Sequence, residues 1–198
     1  MAKSWDFGPS LMMEEVIKAL EDEGCFPVGK CHPPRGETVP QSEVDEAVVF
    51  KDFFSCGLCI PPVYFLRLVF ETFKVQLHHL TPNGILTLSK FCYACETYGA
   101  APDLDTFCAY YELQRQPKKA KVERVDVEYQ FPSCAFMEKR GQKDGGLELS
   151  YAQKNKWEKD WAHYWFYVKT PSIKPKSGPN VKKYHFASTM SGMILRLV

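Results

Sequence analysis

No stretch of about 18 consecutive apolar residues occurs in this chain, the minimum for a bilayer-spanning helix, so a helical membrane protein is not expected. The N-terminus, MAKSWDFGPSLMMEEV, also lacks the unbroken apolar core of a secretory signal, because Asp6, Glu14 and Glu15 interrupt it. Export is therefore not expected, and an intracellular location follows, with nucleus and cytoplasm left open. Net charge of one sign is nearly absent as well: 25 Lys and Arg against 24 Asp and Glu leave +1. The sequence shows no internal repeat.

What is present suits a folded chain. With 198 residues, 45% hydrophobic and 14% aromatic, it can bury one substantial core or two small ones. A charged fraction of 25% is that of an ordinary soluble domain. The eight cysteines are not expected to form disulfides, because the intracellular thiol pool keeps them reduced. Cys56, Cys59, Cys92, Cys95 and Cys108 lie among Phe, Leu and Tyr, where a free cysteine behaves as a small hydrophobe. The near-zero net charge hides two unlike halves. Residues 1–115 hold 9 Lys/Arg against 16 Asp/Glu, a net of −7, and residues 116–198 hold 16 against 8, a net of +8. Complementary surfaces within one fold account for this, and a basic half can also approach phosphate.

Four helices are expected in the first 116 residues. The first runs from about Leu11 to Glu23, capped by Ser10 and ended by Gly24, with Met13, Val16, Ile17 and Leu20 as its apolar stripe. From Cys25 to Glu46, Pro27, Pro33, Pro34 and Pro40 with Gly29 and Gly36 forbid regular structure over most of the stretch and predict an extended arm. Gly57 and Pro61-Pro62 mark a turn into a second helix, from about Pro62 to Phe73, that buries Phe65, Leu66, Val69 and Phe73. Thr81 as cap and Pro82 at the first helical position start a third helix. It reaches about Tyr98, buries Ile85, Leu88, Cys92 and Cys95, and stops at Gly99. Asp103 caps the fourth, striped by Leu104, Phe107, Cys108 and Tyr111. The short link from Ala100 to Pro102 predicts that the Ile85, Leu88 and Cys92 face meets Phe107 and Tyr111.

Beyond Gln116 the pattern changes at the basic stretch Pro117-Lys118-Lys119-Ala120-Lys121. Val125, Val127, Tyr129 and Phe131 alternate with polar residues as a half-buried strand does, and Cys134 to Lys139 is expected to pair with it. Gly141 to Gly146 supply a turn, Trp165-Phe166-Tyr167-Val168 has strong strand propensity, and the composition from Pro171 to Lys183 predicts a disordered tail. The expected class is α+β: a mostly helical N-terminal region, then a small antiparallel sheet and a tail. Its segments are an N-terminal helix and arm (1–47), a helical domain (48–116), a β-containing extension (117–170) and the tail (171–198).

Residues Val48 to Leu113 carry Gly57-Leu58, Pro61-Pro62, Leu77 with Leu80, Pro82-Asn83, Phe91, and Asp105 to Phe107, in that order. This succession resembles the plant domain family called putative gypsy-type transposon, or transposase. Pro33-Pro34-Arg35-Gly36-Glu37-Thr38-Val39-Pro40 and Trp165-Phe166-Tyr167-Val168-Lys169 also resemble flanking features of that family. The resemblance implies a retroelement lineage and supplies no catalytic residues. Longer members extend further past the counterpart of Lys169, so it also implies a truncated reading frame or fragment.

A gypsy-type polyprotein works through an aspartic protease, a polymerase and an integrase, each dependent on closely held acids. The protease signature Asp-Ser/Thr-Gly does not occur; Asp105-Thr106-Phe107 lacks its glycine. A paired-aspartate polymerase motif is also missing, and Asp103 and Asp105 lie at a helix start, where capping explains them. Cys56-x-x-Cys59 and Cys92-x-x-Cys95 have the form of a four-thiolate zinc site, yet 32 residues separate the pairs where about 15–20 are usual. His78-His79 lacks the spacing of a zinc finger, and His163 and His185 stand isolated from any cysteine nucleophile.

The stretch Lys154-Asn155-Lys156-Trp157-Glu158-Lys159-Asp160-Trp161 suits single-stranded nucleic acid, since lysines neutralise phosphates and aromatics stack on bases. Against that, Trp157, Trp161 and Trp165 recur every four residues, which on a helix makes one packed apolar face. The expectation is a non-enzymatic domain with no catalytic, cofactor or metal residues and no small-molecule substrate. A protein partner or self-association is the expected mode of action, with nucleic-acid binding as the alternative and a zinc-dependent version of that module as a third reading.

Overall fold

The computed structural model describes residues 6–43, 45–115, 135–139 and 160–169. In chain order its elements are α1 (Glu14–Asp22), β1 (Cys31–His32), β2 (Glu46–Phe50), α2 (Asp52–Ser55), α3 (Tyr64–Phe73), a 3-10 turn (Leu77–His79), α4 (Pro82–Thr97), α5 (Leu104–Tyr110), β3 (Tyr111–Arg115), β4 (Ala135–Lys139), a second 3-10 turn (Trp161–His163) and β5 (Trp165–Lys169). The class is α+β, as expected. The strands, however, are interleaved with the helices rather than gathered after them.

Three strands form one sheet in the order β1-β5-β2, antiparallel throughout. Its centre is β5, which pairs Trp165 with Phe50 and Lys169 with Glu46 on one side and Val168 with Cys31 on the other. A central strand covered on both faces can be apolar without alternation, and Trp165, Phe166, Tyr167 and Val168 are all buried. Their rings divide by the two-residue period of a strand. Trp165 lies 5.8 Å from Phe7 and 5.6 Å from Tyr167, whereas Phe166 meets Phe26 and Phe54, each at 5.9 Å. β3 and β4 make a second, two-stranded antiparallel sheet that runs beside α4.

The helices follow their local signals, with some shifts. α4 starts where Thr81 accepts a hydrogen bond from the Gly84 amide at 3.1 Å, with Pro82 in its first turn. It closes with the amides of Gly99 and Ala100 reaching back to the carbonyls of Glu96 and Cys95, around a left-handed Gly99 at φ 68°. α1 closes the same way, through Gly24 and Cys25 onto Glu21 and Leu20. Its start differs from the expectation. Ser10 does not cap it: the Ser10 hydroxyl donates to the Trp165 carbonyl at 2.6 Å, and the Leu11 amide donates to the His163 carbonyl at 2.8 Å. These ties hold the chain extended against the start of β5, so the helix begins only after Met13. Met12 (5% exposed) therefore takes the buried place foreseen for Met13 (59% exposed).

The second expected helix starts at Tyr64 rather than Pro62, and α2 was not anticipated. The fourth ends one residue earlier, because Tyr111 leaves the helix to begin β3, which pairs with β4. Of the expected Cys134 to Lys139 strand, Ala135–Lys139 form β4, paired among the described residues with β3; Cys134, Val125 to Phe131, the turn from Gly141 to Gly146 and the tail from Pro171 lie outside the described residues. The expected tryptophan face is not formed either. Trp161 sits in a 3-10 turn, 4.9 Å from Phe50, and Trp165 in a strand, while Trp157 lies outside the described residues. Ile85, Leu88, Cys92 and Phe107 are buried as foreseen, though the ring contact between α4 and α5 is Phe91 on Phe107 at 5.1 Å.

Truncating Trp165 leaves a large void between Phe7 and Tyr167. Trp165→Ala is expected to lower the unfolding free energy by about 3–5 kcal/mol, against a total of about 5–15 kcal/mol for an ordinary domain. Urea unfolding checks this through a lower midpoint at an unchanged slope.

Candidate functional site

The residues most able to do chemistry are the cysteines, histidines and paired acids, and the fold fixes the surroundings of each. Cys56 follows α2 directly and is buried; its thiol is pushed up by burial and by Asp52, with Lys90 opposing. Cys92 lies inside α4, where burial, reinforced by Cys95, Cys59 and Glu96, pushes its thiol up to about 12. Cys31 in β1 is likewise pushed up to about 12 by burial and then by Glu21. Burial also raises Cys25, Cys59 and Cys95. A nucleophile or a zinc ligand works as the thiolate, which every one of these settings disfavours.

The four thiols of the two Cys-x-x-Cys pairs are not brought to one point. Cys59 and Cys92 face a small cleft with Val63, Leu66, Ile85 and Leu88, while Cys56 neighbours Asp52 and Lys90. Among the described residues, no group of three or more His, Cys, Asp or Glu could hold a metal ion. The cleft's lining includes no charged side chain, and Ser89 brings the hydroxyl.

The histidines are placed by packing and by turns. His78 stands 6.0 Å from Phe7, and burial, then His79, brings it down to about 4. His79 accepts the Gln76 amide at 3.0 Å through Nδ1 and so helps close the first 3-10 turn. His163 accepts the Leu11 amide through its backbone carbonyl, and His185 lies outside the described residues. Asp103 caps α5, with its carboxylate accepting the Thr106 amide and hydroxyl, both at 2.8 Å; those bonds hold it below the usual carboxylate range. Asp105 is exposed in the first turn of the same helix. Lys154, Lys156 and Lys159 lie outside the described residues.

One polar cluster escaped the sequence reading. His32 contacts the Glu46 carboxylate at 2.9 Å through Nε2 and the Pro33 carbonyl at 3.1 Å through Nδ1. Its ring lies 5.1 Å from that of Tyr167, whose hydroxyl donates to Glu37 at 2.9 Å and accepts the Gln41 amide at 2.9 Å. The members stand on β1, the arm, β2 and β5. Tyr167 and Glu37 are 130 residues apart, so no local spacing links them.

Fold and site together define a small α+β domain organised around a buried aromatic strand, in which burial disfavours the thiolates of Cys25, Cys31, Cys56, Cys59, Cys92 and Cys95, and Asp103, Glu37 and Glu46 are engaged in a cap and in ties. Residues 48–115 match the family model described as "putative gypsy type transposon". No curated protein and no solved structure matches the chain. The matched segment runs from within β2 to the end of β3 and excludes β5, the partner that completes its sheet.

Two outcomes follow from these surroundings. In the folded protein at pH 7.5, Cys56 and Cys92 are expected to react with a thiol dye more than about 100-fold slower than in denaturant, since both thiolate content and access fall; stopped-flow labelling with peptide mapping checks it. His78 has a folded value of about 4 against about 6.5 unfolded. The unfolded chain therefore binds the extra proton between those values. The His78 contribution is fully present above pH 6.5 and is lost as pH falls towards 4. His78→Leu is expected to flatten that part of the stability profile, read from denaturant midpoints across pH 4–7.

Proposed function

We propose that this chain is a non-enzymatic, retroelement-derived domain that acts inside the cell through assembly or protein interaction, in a role comparable to that of a capsid-type polypeptide. The observation that carries the reading is the employment of its reactive side chains. Buried thiols, the packed His78, the turn-closing His79 and the capping Asp103 each serve the fold. The family match supports the lineage.

The surface favours a protein partner or a second copy. Leu11, Met13 and Val28 are exposed around α1, whose outer positions carry the exposed acids Glu14, Glu15 and Asp22. Apolar side chains ringed by charge are the ordinary make-up of an interface patch. The second reading is a nucleic-acid module using the basic residues 116–198, which hold a net of +8.

Size-exclusion chromatography with light scattering, with and without an oligonucleotide, separates the two. The expected outcome is self-association or an unchanged monomer peak with no oligonucleotide shift. Charge reversal at Lys154, Lys156 and Lys159 is then expected to alter stability or self-association only. Micromolar or tighter binding that weakens steeply with salt, with tryptophan fluorescence quenched by stacking bases, makes the nucleic-acid reading the correct one.

A further inference from the structure

The outer side of α1 is acidic from end to end. Glu14, Glu15, Asp22 and Glu23 are exposed, and Lys18 is the one base between them. The carbonyl end of a helix favours a cation, yet the last turn of α1 holds Asp22 and no basic residue. Apolar side chains stand at both ends: Leu11 and Met13 just ahead of the helix and Val28 just after it are exposed.

The chain beyond β5 starts beside this helix. The Lys169 amide, at the end of β5, donates to the Lys30 carbonyl at 2.7 Å, and the Gly29 amide donates to the Glu21 carboxylate in the last turn of α1, also at 2.7 Å. Two hydrogen bonds on adjacent residues of one loop thus tie the exit of β5 to the end of α1. Residues 170–198 hold Lys174, Lys176, Lys182, Lys183 and Arg196 and no Asp or Glu, with Ile173, Val181 and Phe186 among them. An extended chain spans at most about 3.6 Å per residue, so Lys174 reaches up to about 18 Å from Lys169 and Lys182 up to about 47 Å. The nine residues of α1 span about 14 Å, well inside that reach. A tether this short presents the bases to the acids at a high effective concentration.

We propose that the outer side of α1 is a docking surface for the chain's own basic segment, residues 170–198, held by charge complementarity and by apolar contact with Leu11, Met13 and Val28. Acids also stand at the other side of the β5 exit, but they suit the segment less. Glu46 already receives His32 and the Glu43 amide, and Asp45 has a partner of its own. No large hydrophobic between Lys30 and Phe50 is exposed among the described residues. The inference rests on the reading of α1 as an interaction surface and adds that a partner or a second copy must displace the segment to use it. The two fail separately, since light scattering reads association and the positions of cross-links read the segment.

Carbodiimide cross-linking of the full chain at low micromolar concentration, on an equal mixture of 14N- and 15N-labelled protein, tests the docking by mass spectrometry. The expected result is links within one chain from Lys174, Lys176, Lys182 or Lys183 to Glu14, Glu15, Asp22 or Glu23. Their yield is expected to fall at least about threefold from 0.05 M to 0.5 M salt, as screening shortens the reach of each charge. Asp22→Lys with Glu23→Lys places bases where the helix dipole favours them, so the fold is expected to persist by near-ultraviolet circular dichroism. In that variant the links to Glu14 and Glu15 are expected to fall by a similar factor. Links mainly between isotopically different chains, links to Glu43 or Asp45 in place of α1, or links to α1 that neither salt nor the variant reduces, each overturn the proposal.

Discussion

β1 and β2 are not paired with each other; both pair with β5, which arrives from more than a hundred residues further along the chain. Closing so long a connection costs little more than closing a short one, because the entropy grows only with the logarithm of its length. What secures the strand is four successive side chains with almost no exposed surface, each removing apolar area from water at about 25 cal/mol per Å². The N-terminal segment depends on the same strand. Ser10 bonds the Trp165 carbonyl, and the Trp165 indole donates to the Gly8 carbonyl at 3.2 Å. The arm reaches it through Tyr167 and through the Lys169 amide on the Lys30 carbonyl at 2.7 Å.

This dependence explains which parts of the fold were legible. Helix ends are written in neighbouring residues: Thr81-Pro82, Asp103, Gly24 and Gly99 each act within a few positions, and each was found. The strand character of Trp165 to Val168 was local too. Its place was not, since nothing near Trp165 says that Glu46 to Phe50 lies alongside. Ser10 failed for the same reason. A serine before an amphipathic run is a sound capping signal, but the Ser10 hydroxyl donates to the carbonyl of a distant strand while its oxygen accepts the Met12 amide, and the chain is held extended there. The tryptophan spacing fits a helix as well as it fits a turn followed by a strand, and only pairing with β2 decides between them.

The candidate chemistry was legible to a similar degree. Reading the cysteines as small hydrophobes rested on their apolar neighbours in sequence; on the α4 face Ile85, Leu88 and Cys92 are indeed buried, while Cys95 is only half-buried. The His32 cluster had no such signature, because its members come from four separate segments. The family match has a related limit. It covers β2 to β3, a run whose local signals are strong, and stops short of the strand that gives β2 its partner. The matched segment is therefore a stretch of recognisable sequence whose sheet is finished by residues outside it.

The opposite charges of the two parts of the chain take on a physical meaning at that junction. In the ladder between β2 and β5, Glu46 from the acidic part stands opposite Lys169 from the basic part, and the ammonium helps hold the carboxylate ionised. A cross-strand pair of this kind contributes only about 0.2–1 kcal/mol, but it disfavours a register slip that would set like charges opposite one another. Glu46 also receives His32 and the Glu43 amide, so the same carboxylate sits where the sheet ends and the arm is tied. At this position the charge asymmetry serves the internal fit of one fold.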